Sequence, residues 1–364
     1  MAAQPTERID PRQPVHLTEA FLAGRGPDIR GIIATCLTPF DAEGRVAFDA
    51  LQREIDYIVD ACRADAIAIA ATEDAEYTML DWAQRKELIA RGTEMVRGRI
   101  PVVVGISHPA PQRAIELAEH ANAVGADAVQ LLLPTRLWGG DPDPDETYDY
   151  VAEIARRSPL PVSVYQSRRT GSDAAIPLFL RLADVLNIPY IVETSGDVTR
   201  ISRLVEEVDR RGSARYFTTI ESLLINLTLG GSGAAMPPPA ARVGSEVVRA
   251  VRDGAMERAV EWQRILGLFP GRWRRYGLPP VMKAAMRHMG IDLGNPMPPY
   301  ATVSERDDSA IGQFLESVGL KEPGEDAPAP VSAGRGPVDL QTGLLGRGSA
   351  PRRRGRPRGG RSSP

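Results

Sequence analysis

The sequence predicts an α/β protein: one closed (β/α)8 barrel, a TIM barrel, with a C-terminal helical extension. Eight short runs of β-branched and small apolar residues recur from Gly31 onward, each followed by an amphipathic helical stretch, the alternation of a parallel sheet wrapped in helices. Four more helical patterns follow the eighth run. The length fits as well, because 364 residues with 43% hydrophobic content can bury one barrel of about 250 residues and carry appendages.

In chain order, the predicted strands are Gly31-Ile-Ile-Ala-Thr, Ala66-Ile-Ala-Ile-Ala, Pro101-Val-Val-Val-Gly and Ala128-Val-Gln-Leu-Leu-Leu, then Pro161-Val-Ser-Val-Tyr, Pro189-Tyr-Ile-Val-Glu, Arg215-Tyr-Phe-Thr-Thr and Gly233-Ala-Ala-Met. Between the first two, Phe48, Leu51, Ile55, Ile58 and Val59 form one apolar helical stripe, which puts Arg53, Glu54 and Asp56 on the outer side. Ile188 to Thr199 reads as a buried strand, a turn and a helix start that Asp197 or Thr199 can cap. Side chains at the C-terminal end of a barrel strand face the reaction centre. There this chain carries Val192, which has no chemistry to offer.

Past the barrel, Ala240 to Arg252, Met256 to Gly267, Pro280 to Met289 and Ser304 to Val318 read as helices. The expected organisation is a polar segment over 1–28, the barrel over 29–238, the helical region over 239–320 and a tail over 321–364. That tail is rich in Gly, Pro, Ala, Ser and Arg and lacks the apolar surface needed to fold. Its seven arginines between Arg347 and Arg361 fit either a phosphate-seeking arm or a solvated tail with no selected role, and the second reading makes nucleic acid an unexpected partner.

A net charge of −3 gives no reason to expect nucleic acid or membrane as a partner. Cys36 and Cys62 stand apart without metal-type spacing and read as buried thiols of a reducing compartment. The N-terminal stretch has no apolar core long enough for a signal or a span, so a cytoplasmic location is expected. Lysine occurs only at positions 86, 283 and 321, which limits the amines that can form an imine.

Several ordered motifs resemble the dihydrodipicolinate synthase / N-acetylneuraminate lyase family, class I aldolase-type lyases, from about Arg30 to Leu320. Cys36-Leu37-Thr38-Pro39-Phe40 is similar to the family's Thr-Pro-Phe element, in which Pro39 holds Thr38 extended at a pocket rim. Tyr165-Gln166-Ser167-Arg168-Arg169-Thr170-Gly171 resembles its Tyr-Asn-x-Pro-x-Arg-Thr-Gly, one residue shorter and without the proline. Gly230-Gly231-Ser232-Gly233-Ala234-Ala235-Met236 resembles its Gly-rich approach to the eighth strand. Ile191-Val192-Glu193-Thr194-Ser195-Gly196-Asp197 falls on the segment that holds the family's Schiff-base lysine and puts Val192 at that position. The resemblance implies a barrel-top pocket, a homodimer or homotetramer, and no cofactor.

It also implies roles for particular residues. Tyr165 matches the family's catalytic tyrosine and Arg169 its carboxylate-binding arginine. The loop that takes a substrate carboxylate corresponds to Thr72-Glu73-Asp74-Ala75-Glu76, where two adjacent acids repel such a group. Glu73 or Asp74 is then either a general base or partner for a cationic substrate, or a loop charge turned to solvent or an arginine. Arg136 replaces a relay tyrosine; it stays charged and cannot relay protons, but it can bind a carboxylate or neutralise Glu73 and Asp74. His108 is a proton shuttle or a rim residue with one hydrogen bond. No metal-ligand spacing is recognisable, and no metal is expected.

The functional expectation is a divergent lyase-type enzyme that acts on a small oxo or amino acid without a lysine Schiff base. Its catalytic residues would be Tyr165, Glu73 and His108, and its binding residues Arg169, Arg136, Asp74, Thr38 and Val192. The alternative is a non-catalytic homologue that binds a metabolite or an active paralogue.

Overall fold

A computed structural model describes residues 26–72, 75–135, 143–167 and 173–321. Glu73, Asp74, Arg136 and Arg169 lie outside the described residues, as do most of the N-terminal segment and the tail. Eight parallel strands close on themselves in sequence order: β1 (Gly31–Thr35), β2 (Ala66–Ile69), β3 (Val102–Gly105), β4 (Ala128–Leu132), β5 (Val162–Gln166), β6 (Tyr190–Glu193), β7 (Arg215–Thr218) and β8 (Gly233–Met236), with β8 paired to β1. Three strands start one residue later than the β-rich runs suggest. Pro101, Pro161 and Pro189 lack an N–H to give the ladder and contribute only their carbonyls, which accept from Ile67, Val129 and Arg215.

Strand alternation sorts the side chains. Ile33, Ala68, Val103, Ala128, Tyr165, Val192 and Phe217 pack together as an inner cluster, while the outward residues join the helices in the larger core. The helices that cover the strands are α1 (Phe48–Asp56), α2 (Trp82–Val96), α3 (Pro111–Ala123), α4 (Pro144–Arg157), α5 (Ile176–Ala183), α6 (Val198–Leu204), α7 (Leu223–Leu229) and α8 (Ala240–Arg252). Asp197 caps α6 by accepting from Arg200 N–H at 2.9 Å, which settles the choice between Asp197 and Thr199.

The extension consists of α9 (Met256–Leu268), a 3₁₀ segment (Gly271–Tyr276), α10 (Leu278–His288) and α11 (Glu305–Ser317). The short 3₁₀ segment has no periodicity to read in advance. It is held by Trp273, which stands edge-on to Phe269 and Phe314 at centroid distances of 6.2 and 5.9 Å.

Glu54 departs from the outer face that the α1 pattern assigns it. It is completely buried, and its Oε1 accepts the Leu37 N–H at 2.8 Å beside Cys36. The backbone after β1 needs that acceptor, so the carboxyl turns inward. Burial pushes its pKa from 4.5 up to about 8, partly opposed by the Leu37 N–H and by the Lys283 charge.

Lys283 on α10 is buried as well. Its ammonium sits 2.6 Å from Glu76 Oε2, donates to Asn295 O at 3.2 Å and lies 4.5 Å from the centre of the Phe40 ring. Glu76 has a left-handed backbone (φ 50°, ψ 25°) and takes the Met297 N–H at 2.6 Å on its other oxygen. Thr38 Oγ1 donates to the Ala75 carbonyl one residue earlier. The loops after β1 and β2, helix α10 and the 295–297 connection are thus tied at one buried point.

Two stability predictions follow from these groups. Lys283→Met leaves Glu76 buried without its counter-ion and should cost about 3–5 kcal/mol in chemical denaturation, whereas a paired Lys283→Met, Glu76→Leu variant should recover much of that loss. An undiminished single variant would contradict the role assigned to the pair. Glu54 keeps its proton in the folded state between 4.5 and about 8 while the unfolded chain loses it. Its contribution to stability therefore falls as pH rises through that window. Relative to Glu54→Gln, the wild-type urea midpoint should drop between pH 5 and pH 8; parallel profiles would refute the assignment.

Candidate active site

A cavity of about 860 Å³ opens at the C-terminal ends of the strands. Its floor and walls come from strand ends and the residues just beyond them, among them Thr35, Thr72, Tyr165, Ser167, Thr194 and Thr219. Its roof comes from the extension: Pro270, Gly271, Arg274, Leu278 and Tyr300. Nine lining side chains among the described residues carry hydroxyls, so the wall suits a polar, hydrogen-bonding ligand rather than an apolar one.

The strand ends are held by local devices. Ala70, just after β2, adopts a left-handed backbone (φ 51°), and its carbonyl lies where a Cβ at Gly105 would stand, 1.8 Å away; only glycine fits beside it in β3. Thr72 follows, and its buried Oγ1 has no hydrogen-bond partner among the described residues while its side chain lines the cavity. At β6, buried Glu193 takes Ser195 N–H at 3.0 Å, Ser195 Oγ at 2.9 Å and the Tyr216 phenol at 3.2 Å, with Arg200 Nε at 3.4 Å. This carboxylate fixes the turn that presents Thr194 and Ser195 to the cavity. Burial, reinforced by Glu193, pushes the Tyr216 phenol well above its ordinary pKa, so it serves as a donor and not as an acid.

Tyr165 lines the cavity and is 5% exposed; its register neighbour on β6 is Val192. Val192 is buried in the inner cluster with Tyr165 and Phe217 and is not among the residues that line the cavity. Thr38 is buried and spent on Ala75 O, outside the cavity lining. His108 does not line the cavity either. Its Nδ1 accepts the Ala110 N–H at 3.0 Å, its carbonyl accepts from the Tyr150 phenol, and its ring stands edge-on to Trp82.

None of the three lysines reaches the cavity. Lys86 sits on α2, Lys283 is closed into the Glu76 pair, and Lys321 pairs with Glu316 at 2.6 Å. The cationic side chain among the described lining residues is Arg274, whose Nη2 meets Glu221 Oε1 at 3.2 Å. Reading the sequence did not single out Arg274, Tyr300 or the Thr194-Ser195 pair as lining residues. The Thr194-Ser195 pair stands directly after β6 and was open to inference from position; the other two depend on how the extension folds back. Among the described residues no three His, Cys, Asp or Glu side chains gather as a metal site, and no helix is long and apolar enough to cross a membrane.

A closed (β/α)8 barrel with a polar cavity at its strand C-termini has the architecture of enzymes that act on small molecules. The chain belongs to the dihydrodipicolinate synthetase family, which it matches over residues 28–318. It is similar to a 4-hydroxy-tetrahydrodipicolinate synthase of Pseudomonas aeruginosa, at 29% identity over 80% of this chain and 99% of the relative. A probable 2-dehydro-3-deoxy-D-pentonate aldolase of Escherichia coli is 27% identical over 80% of this chain and 97% of that protein. A putative dihydrodipicolinate synthetase structure from Pseudomonas aeruginosa superposes with a TM-score of 0.73 at 25% identity, covering 79% of this chain and 99% of that one. The N-acetylneuraminate lyase of Mycoplasma synoviae, at 20% identity and a TM-score of 0.71 over 80% of this chain and 98% of that one, shares the fold.

Proposed function

We propose that this protein is a lyase-type enzyme acting on a small oxo or amino acid without a lysine imine. The observation that carries the reading is the pairing of a retained cavity tyrosine with an inert neighbour: Tyr165 lines the cavity, Val192 lies beside it at the position where the resemblance expects lysine, and all three lysines stand elsewhere. Names of the relatives, synthase and aldolase, support carbon–carbon bond chemistry on small acids.

Without an amine to act as electron sink, a developing enolate needs hydrogen-bond donors aimed at its oxygen. The Tyr165 phenol and the hydroxyl wall are the groups that supply them, and Tyr165 is the residue we assign to proton transfer. Arg169, carried over from the resemblance, and Arg136, which stands in place of its relay tyrosine and can bind a carboxylate, complete the proposed binding set. A homodimer or homotetramer in the cytoplasm belongs to the same proposal, with a small molecule as its partner and neither nucleic acid nor membrane.

The test is turnover of a panel of 4-hydroxy-2-oxo acids, with released pyruvate read by coupled reduction. Wild type should cleave at least one member, and Tyr165→Phe should lower kcat about 100-fold or more with little change in KM. Saturable binding of panel members without any cleavage would favour the non-catalytic homologue instead.

A further inference from the structure

We infer that the interior of the barrel holds one ordered water, bound between Gln130 Nε2 on β4 and Ser163 Oγ on β5. The site goes beyond the proposed activity and is built from residues that do not line the barrel-top cavity.

Two independent observations meet at this place. The first is a pair of orphaned polar atoms. Gln130 and Ser163 are each 2% exposed, and neither Gln130 Nε2 nor Ser163 Oγ has a hydrogen-bond partner among the described residues. Strand alternation turns both side chains inward: Gln130 stands two residues after Ala128 and Ser163 two residues before Tyr165, and Ala128 and Tyr165 belong to the inner cluster. The parallel register sets Gln130 beside Ser163, on strands about 4.8 Å apart. A buried amide N–H or hydroxyl without a partner has lost its hydration for nothing, and native proteins meet such groups with protein atoms or with ordered water.

The second observation is room. The other register neighbour of Gln130 is Gly105 on β3, which has no side chain to fill the interior at that level. The Ala70 carbonyl stands there instead, 1.8 Å from where a Cβ at Gly105 would lie. The inner residues one step back on β2 and β4 are small as well, Ala68 and Ala128. On the far side of Ser163, Tyr190 of β6 is its register neighbour, and that phenol donates to the Pro27 carbonyl.

A water matches these groups in kind and number. It accepts from Gln130 Nε2, exchanges a hydrogen bond with the Ser163 hydroxyl and keeps a proton for the Ala70 carbonyl, the three partners usual for a buried water. An anion would suit the two donors but would be repelled by the carbonyl oxygen, so the neutral molecule is the better occupant. Leu132 and Tyr165, register partners about 6.6 Å further along the two strands, lie on the cavity side of the site.

The test is a crystal structure of the full chain at a resolution that shows ordered water, grown with bromide as the only halide so that a bound anion declares itself by anomalous scattering. The wild-type map should hold one peak about 2.7–3.2 Å from both Gln130 Nε2 and Ser163 Oγ, without anomalous signal. In the double variant Gln130→Met, Ser163→Ala that peak should be lost while Tyr165 keeps its position. No peak in the wild type, a bromide signal at the site, another side chain of the chain filling it, or a peak that persists in the double variant would each overturn the inference. The first three are read from the wild-type map alone, so the test stands even if the double variant does not fold.

Discussion

The top of this barrel depends on one buried ion pair, Lys283 with Glu76. Removing two charges from water costs several kcal/mol each, and mutual attraction offsets this only where further hydrogen bonds satisfy what remains of both groups. Both groups have them: Glu76 takes Met297 N–H, and Lys283 gives to Asn295 O and rests on the Phe40 ring. Because these groups belong to four separate stretches of chain, the pair ties the C-terminal extension to the loops after β1 and β2. It also settles the fate of the one lysine buried near the site. Burial lowers the Lys283 pKa against the opposing pull of Glu76, but the amine faces its carboxylate and does not line the cavity.

That anchoring has a consequence for the site's character. With α10 held down, the Gly271–Tyr276 segment and Tyr300 stand over the strand ends and help to bound a cavity of about 860 Å³. Gly277, which lines it, sits at φ 83°, where a side chain would strain the backbone and a Cβ would come 3.1 Å from the Tyr300 ring. The hydroxyl-bearing strand ends below and the Arg274–Glu221 pair above then face a common space. Polarity is supplied by side chains fixed on rigid elements, the arrangement that orients a small polar ligand.

The fold was legible because its signals are periodic. The eight runs differ from the eight strands by at most a residue at most ends, and the proline starts explain three of those differences. Glu54 shows where periodicity fails: the α1 stripe assigned it to solvent, yet the Leu37 N–H after β1 required an acceptor from a distant stretch of chain. The site was legible only in part. Tyr165 could be placed at the cavity from the sequence because it stands near a strand's end within a recognisable motif. Arg274 and Tyr300 could not, because their approach to the cavity is set by tertiary packing of Trp273, Phe269 and Phe314, which leaves no local pattern. His108 and Thr38 stand near strand ends as expected, but their polar groups are turned to neighbouring backbone.

Fold and family are common to this chain and its relatives, and the proposed chemistry turns on Val192 standing beside Tyr165 where the resemblance expects lysine. The most direct measurement is intact mass after borohydride treatment with pyruvate, on wild type and on Val192→Lys. Wild type should gain no mass, and Val192→Lys should gain one reduced pyruvyl group because an amine would then stand next to Tyr165 in the barrel. A trapped adduct on the wild-type chain would contradict the proposal and point to one of the three native lysines as a recruited nucleophile.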